Sequence, residues 1–424
     1  MRKRLESLLR NGFFHILGSS FINKIIAFLT NIALVRILSK NEYGIFTGSF
    51  NAFYIVFLFS GLGITSGLLY FCSKNITRES KSEYYLYAFK FGIVSELFLS
   101  ASLIIYGLYG NVGIEETRQY IISLAALPFI AFIFDYFLVI LRAEKDNVRY
   151  SKLINLNTVF YFLFGASGAY FKGIAGTIAG RYFAYILTGI IGGIYCKKYF
   201  VLDSKEKLAN EQKKDITKYS VKAGITSALN VLLYRIDVMI IAIVVADASI
   251  LASYKTGAAL PENLNFIPQC VMIYALPIFI QNLSDKNWIK KNTKVIYFVT
   301  GGISFFIGLV MILFAPFIVD LLWGKEYLDA VPCMRILSIS FILLSTFRVT
   351  STNILLALKR VGYTMFISVV TGVSNIILDV FMTMNFGSIG AAYATLIVTI
   401  MAAVLSFPYV IYIVYFEDKE FNTV

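Results

Sequence analysis

Residues 295–319 read VIYFVTGGISFFIGLVMILFAPFIV, without a single charged side chain. About 20 consecutive apolar residues, coiled as a helix, cross a hydrocarbon core of roughly 30 Å, and this run is longer than that. It has many companions. Twelve such segments lie near 15–37, 45–73, 85–110, 118–141, 153–171, 175–196, 220–245, 252–282, 294–319, 329–357, 362–384 and 389–415. Composition agrees: 58% of residues are hydrophobic and 15% charged, whereas soluble domains carry roughly 45–50% and about 25%. The sequence predicts an all-α integral membrane protein of about twelve transmembrane helices.

The net charge of +13 reflects topology and not a nucleic-acid footprint. Counted on alternate sides of the twelve segments, Lys and Arg crowd into the leading residues, 74–84, 142–152, 197–219, 283–294 and 359–360. The other side holds Lys40, Arg118, Lys172 and Lys325. Basic loops stay on the cytoplasmic side, so both termini are expected there, in the cytoplasmic membrane. The leading Met1-Arg2-Lys3-Arg4 precedes an apolar run too long for a signal core of about 7–15 residues, and it reads as a retained first helix. Cys72, Cys196, Cys270 and Cys333 lack paired spacing, which argues against a disulfide framework or metal cluster. His15, at the end of the first segment, reads as interfacial.

The chain repeats itself. A shift of 211 residues places Lys24 on Arg235 and Tyr43 on Tyr254; a shift of 214 places Leu108-Tyr109-Gly110 on Leu322-Trp323-Gly324 and Ala143-Glu144-Lys145 on Ala357-Leu358-Lys359; a shift of 215 places Gly173 to Gly176 on Ser388 to Ala391. Two six-helix lobes follow, 1–196 and 220–424, joined by a charged linker, 197–219. Six helices per lobe preserve orientation, so the lobes are expected to be related by a pseudo-twofold axis along the membrane normal, as in parallel-repeat transporters.

Several motifs resemble the bacterial polysaccharide repeat-unit flippases, the O-antigen and capsule translocases of the multidrug/oligosaccharidyl-lipid/polysaccharide exporter superfamily. They are Leu34 to Leu38 followed by Glu42-Tyr43-Gly44-Ile45-Phe46; Gly61-Leu62-Gly63; Asp237 with its apolar followers; Trp323 to Tyr327 with Ala330; and Ile389-Gly390-Ala391-Ala392. The resemblance spans almost the whole chain. It implies two lobes around a central cavity and transfer of a polyprenyl-diphosphate-linked oligosaccharide across the membrane by alternating access, with polysaccharide polymerase and chain-length proteins as possible partners and no nucleic acid.

Charges inside the segments mark candidate sites, because each costs about 2.5–3.5 kcal/mol even on insertion scales. Lys24 shares a helix face with Ser20 and Asn31, and Arg235 shares one with Ser220, Gly224 and Ser227. Together they could bind a diphosphate, with Arg as a planar fork and Lys as a point charge. The alternative is local neutralisation, for instance by Asp237, although residues two apart on a helix face different ways. Arg181 and Arg348 are further cavity candidates, while Lys90 and Lys255, near segment ends, are expected to snorkel, and Arg36 is a boundary anchor. Asp237 lies on a polar stripe with Asn230 and Tyr234, and Asp379 on one with Thr371 and Asn375; both are candidates for proton or sodium coupling, ahead of Glu96 and Asp135, the alternative being interhelical hydrogen bonding. No other cofactor is expected. Pro261 and Pro268, with Pro277 beyond, bracket Asn263 and Asn265 and mark a bend that could gate or be static.

Within transport the rival reading is an ion-coupled exporter of drugs or small molecules on the same architecture. A lipid-linked peptidoglycan-precursor flippase would be expected to carry additional helices. An enzyme, such as a membrane polymerase or ligase, would need a long outer loop, and the outer connections are short. Gly301-Gly302 lies inside an apolar helix, so no phosphate-binding loop for ATP is present.

Overall fold

The computed structural model describes residues 13–74, 76–201, 207–232 and 235–416, and every regular element among them is helical. All twelve apolar segments fall on helix where described. Among the described residues, six helical stretches are long and apolar enough to cross a membrane, or seven if the pair Thr117–Ser123 and Leu127–Ala143, bent by 47°, counts as one. The expected twelve exceeds this number because several segments are interrupted and two pairs run together as single long helices.

Contacts divide the chain into two compact units, Met1–Arg235 and Ile236–Val424. The first holds α1 (Phe13–Ile37), α2 (Lys40–Phe57), α3 (Ile64–Cys72), α4 (Arg78–Tyr109), α5 (Thr117–Ser123), α6 (Leu127–Ala143), α7 (Asn147–Cys196) and α8 (Asn210–Leu232). The second holds α9 (Ile236–Val244), α10 (Ala248–Leu264), α11 (Phe266–Gln281), α12 (Lys286–Leu313), α13 (Ala315–Leu322), α14 (Val331–Leu343), α15 (Thr350–Ala357) and α16 (Val361–Ile411).

The boundary falls later than the 197–219 linker read from charge. The reason lies in close packing of α8 on α3. A methyl group at Gly63 would lie 2.4 Å from the Ser220 carbonyl oxygen, and one at Gly67 2.0 Å from its hydroxyl, so only glycine lets the backbones approach this closely. Tyr219 stacks on Tyr70 at 4.5 Å. The first half of the seventh segment therefore belongs with the first unit.

The helix starts follow local chemistry. Ser39 and Glu42 form a reciprocal capping box on α2, Thr77 caps α4, and Asp146, Asp247 and Asp285 cap α7, α10 and α12; each satisfies an N–H that the first turn leaves free. Large apolar side chains such as Phe98, Phe171, Phe298 and Phe306 are left exposed, as expected of a lipid-facing surface and not of a soluble one.

The repeat reappears in the backbone. Lys145 and Lys359, 214 residues apart, both adopt left-handed angles (φ 57° and 59°) at helix ends. Around them the same two bonds form, Asp146 N–H to Leu141 O with Lys145 N–H to Arg142 O, and Arg360 N–H to Leu355 O with Lys359 N–H to Leu356 O; this is the Schellman closure of an α-helix. Gly173 (φ 56°, ψ −136°) and Gly387 (φ 61°, ψ −143°) likewise share one unusual conformation, so Gly173 corresponds to Gly387 and not, as the 215-residue shift suggested, to Ser388. At these glycines the long helices α7 and α16 fold back on themselves: backbone oxygens of Gly176 and Phe164 lie 2.1 and 2.3 Å from where methyl groups at Gly168 and Gly180 would sit, and that of Met382 2.0 Å from one at Gly390. Each is a helical hairpin, two membrane segments in one element.

Candidate functional site

Arg181 sits on the second half of α7, facing Asn157 and Tyr161 across the hairpin. Its Nη2 donates to the Tyr185 hydroxyl at 2.5 Å and its Nη1 to Asn157 Oδ1 at 3.4 Å. The guanidinium lies over the rings of Tyr161 and Tyr185, 4.5 and 4.1 Å from their centroids, which favours a cation through the ring quadrupole. Asn157 is held in turn by donating to Thr188 Oγ1 at 2.9 Å. No described carboxylate closes an ion pair with Arg181, although Asp135 acts on it electrostatically. Its Nε is buried without a partner. A guanidinium held by neutral groups retains its charge for an incoming acceptor.

Arg235, the last residue of the first unit, lies over Tyr54 of α2 at 4.5 Å, and its carbonyl accepts from Asn51 Nδ2 at 3.3 Å. Tyr54 also acts electrostatically on Arg181. Thus two guanidiniums belong to one tyrosine-lined group within the first unit. Lys24 is exposed on α1 and makes no hydrogen bond or ion pair among the described residues, so the structure does not bring it to Arg235 by contact. Arg348 lies half-buried on the π-helical turn Leu344–Val349 of the second unit. Lys255 is paired with Glu262 at 2.6 Å. The side chains of Ser20 and Asn230, and Tyr234 as a whole, lie outside the described residues.

The second unit builds an acidic site. Asp237 opens α9, and its Oδ2 accepts from the Tyr254 hydroxyl of α10 and the Thr395 hydroxyl of α16, both at 3.1 Å. Asp379, fully buried on α16, accepts from Asn375 Nδ2 at 2.7 Å and is hydrogen-bonded to Asp237. Two carboxyl groups reach that arrangement only with a proton or a cation between them. Oδ1 of each acid is buried and has no hydrogen-bond donor among the described residues. Oxygen-only donors of this kind suit a proton or a hard cation rather than a soft metal.

Pro261 is buried inside α10 and Pro268 is buried near the start of α11, with the interruption between these helices at Asn265. Asn265 keeps right-handed angles (φ −58°, ψ −16°). Pro261 and Pro268 therefore flank a break without a left-handed residue.

Sequence reading found both acids, Arg181 and Asn375, which donates to Asp379, but not the other groups that hold them. Tyr185 lies one helical turn from Arg181, a spacing that brings side chains together; this was the available signal for Tyr185. Thr395 carried none, because it joins Asp237 from far along the chain.

Residues 8–282 match a family described as "Polysaccharide biosynthesis protein", about two thirds of the chain. The chain belongs to that polysaccharide biosynthesis protein family. An uncharacterised membrane protein of Methanocaldococcus jannaschii is 23% identical over 429 residues, covering 92% of this chain and 81% of its own. Among solved structures, the inward-facing form of a multidrug resistance MATE family transporter of the MOP superfamily aligns with a TM-score of 0.72 at 13% identity, over 91% of this chain and 94% of that one. The lipid II flippase MurJ, in an inward closed conformation, aligns at 0.71 and 15% identity, over 96% and 94%. A MOP superfamily transporter from Pyrococcus furiosus, whose binding pocket of reverse polarity suggests a different function, aligns at 0.59 and 13%, over 95% of each chain. This member of the polysaccharide biosynthesis family therefore has the all-helical MATE and MurJ-like fold, a fold of membrane transporters and flippases.

Proposed function

We propose that this protein is a flippase that moves a polyprenyl-diphosphate-linked oligosaccharide repeat unit from the inner to the outer leaflet of the cytoplasmic membrane by alternating access, for O-antigen, capsule or exopolysaccharide assembly. The observation that carries the reading is the pair Arg181 and Arg235 in the first unit, each resting on tyrosine and without a carboxylate partner among the described residues. Membership of the polysaccharide family and the likeness to a lipid II flippase support it. In this reading Arg181 and Arg235 bind the diphosphate, with Lys24 and Arg348 as additional cationic contacts, and both termini lie in the cytoplasm, where the basic loops are retained. Asp237 and Asp379 couple transport to a proton or sodium gradient, since their bridge can be made or broken by the coupling ion. Pro261 and Pro268 form the gate of the eighth segment. Polysaccharide polymerase and chain-length proteins are partners downstream.

Reconstitution in proteoliposomes tests this reading. A labelled polyprenyl-diphosphate oligosaccharide should cross faster with the protein than without it, and an imposed ion gradient should change the rate. Failure to carry any such lipid, with export of small organic cations instead, would support the second reading, an ion-coupled exporter, which the acidic site and the likeness to a multidrug transporter favour.

A further inference from the structure

The second membrane segment is broken between α2 and α3. Gly61 (φ 55°), Leu62 (φ 46°) and Gly63 (φ 77°) follow one another in the left-handed region. Glycine enters that region freely, but Leu pays for its Cβ there. The Leu62 side chain does not hold the turn, since it is exposed. What holds it comes from α4, in the middle of the next segment. Oε1 of Glu96 accepts from the Ser60 hydroxyl and from the Gly61 N–H, each at 2.6 Å. Glu96 is fully buried, and its other oxygen has no partner, so its hydrogen-bonding capacity in this structure is spent on the break alone.

Phe132 of α6 closes the site: a methyl at Gly61 would lie 3.0 Å from its ring, and one at Gly92, a turn before Glu96, 1.9 Å. Beyond the turn, Gly63 rests on Ser220 and Gly224 of α8, the helix that leads toward the second unit. In a continuous helix the N–H groups of residues 60–63 would instead bond to carbonyls four residues earlier and would need nothing from α4. Glu96 therefore interacts with the broken form and not with the continuous one, and a differential contact of this kind is what biases a two-state element.

We propose that Glu96 is the latch of a hinge in the second membrane segment, holding the left-handed turn Gly61–Gly63 against its return to continuous helix. The turn is strained at Leu62 and flanked by apolar helix on both sides, so release of the latch lets residues 58–63 rejoin α2 to α3. The hinge gives the first unit a bistable element of the kind alternating access requires. That use rests on the flippase reading; the latch itself does not.

The test is a distance measurement between spin labels on the full-length protein in lipid nanodiscs, at Asn41→Cys and Tyr70→Cys, two exposed sites, with the exposed native thiol removed by Cys270→Ser. In a continuous helix these positions are about 44 Å apart. Glu96→Ala should shift the distribution from that of the parent toward this value. Glu96→Gln, which keeps an acceptor oxygen, should match the parent, and Ser60→Ala, which removes one bond and no charge, should shift part of the population. Adding Leu62→Gly to Glu96→Ala should restore the parent distribution, because glycine adopts the turn without a latch. Should Glu96→Ala fail to fold, Ser60→Ala and Glu96→Gln carry the comparison. Unchanged distances in Glu96→Ala and Ser60→Ala, or a Glu96→Gln shift as large as that of Glu96→Ala, would overturn the latch.

Discussion

Arg181 and the pair Asp237 and Asp379 handle buried charge by opposite means. The arginine is surrounded by neutral dipoles and aromatic faces, which leaves its charge available; the two acids are set against each other, so that they call for a shared counter-charge. The two groups should therefore fail differently. Arg181→Ala and Arg235→Ala are each expected to weaken binding of a soluble prenyl diphosphate by roughly ten- to a hundred-fold, the worth of one to two hydrogen bonds to a charged group, with Arg181→Lys in between because an ammonium cannot reproduce the fork. Isothermal titration of the detergent-solubilised protein measures this. Asp237→Asn and Asp379→Asn keep shape and hydrogen bonding, so each should leave that affinity within about two-fold while removing the response of transport to an ion gradient.

Asp146 reports on charge outside the membrane segments. Burial works against ionisation of Asp146, yet the Arg149 N–H, the Tyr199 hydroxyl and the Lys198 ammonium together hold its carboxyl below the ordinary range. A depressed carboxyl contributes stability above its unfolded pKa of about 3.9 and loses it as pH falls through the lower folded value. Asp146→Asn retains a capping oxygen and removes only the charge. The variant should melt below the parent at neutral pH, and the gap should close as the pH is lowered from about 4, as followed by circular dichroism.

At the scale of elements, the hairpin glycines make the most exposed claim. Gly387 has no atom within 4 Å of the position a methyl group would take, so Gly387→Ala isolates the cost of its backbone angles (φ 61°, ψ −143°). A loss of about 1–3 kcal/mol is expected, read as a lower denaturation midpoint. Gly302→Ala, also without a neighbour within 4 Å but within the helix α12, should be neutral or slightly stabilising.

Helix existence was legible throughout the sequence because a membrane segment must be both apolar and helical to satisfy its own backbone. Breaks were less so. The prolines drew attention to Pro261 and Pro268, whereas the sharpest departure lies at Gly61-Leu62-Gly63, where the middle residue is a leucine and the cause, Glu96, is on another helix. The repeat was legible with offsets of 211 to 215; the angles at Lys145 and Lys359, and at Gly173 and Gly387, set it at 214 for those positions.

For the whole molecule, composition and the length of the apolar segments carried the fold class, since they reflect a solvent and not a partner. The chain's division did not follow the charged linker, because packing at Gly63, Gly67 and Gly224 outweighs a run of lysines as a determinant of which unit a helix joins. The aromatic surroundings of the arginines were hidden by abundance: with 28 tyrosines and 38 phenylalanines, nothing in the sequence distinguishes Tyr54, Tyr161 and Tyr185 from those that face lipid.

The central claim is that the first unit's arginines engage a lipid-linked diphosphate. The most direct measurement is the translocation rate of a labelled polyprenyl-diphosphate oligosaccharide in proteoliposomes containing equal amounts of parent, Arg181→Ala or Arg235→Ala protein. The account predicts catalysed transfer by the parent and a fall of at least about ten-fold in each variant. Equal rates in all three would contradict it.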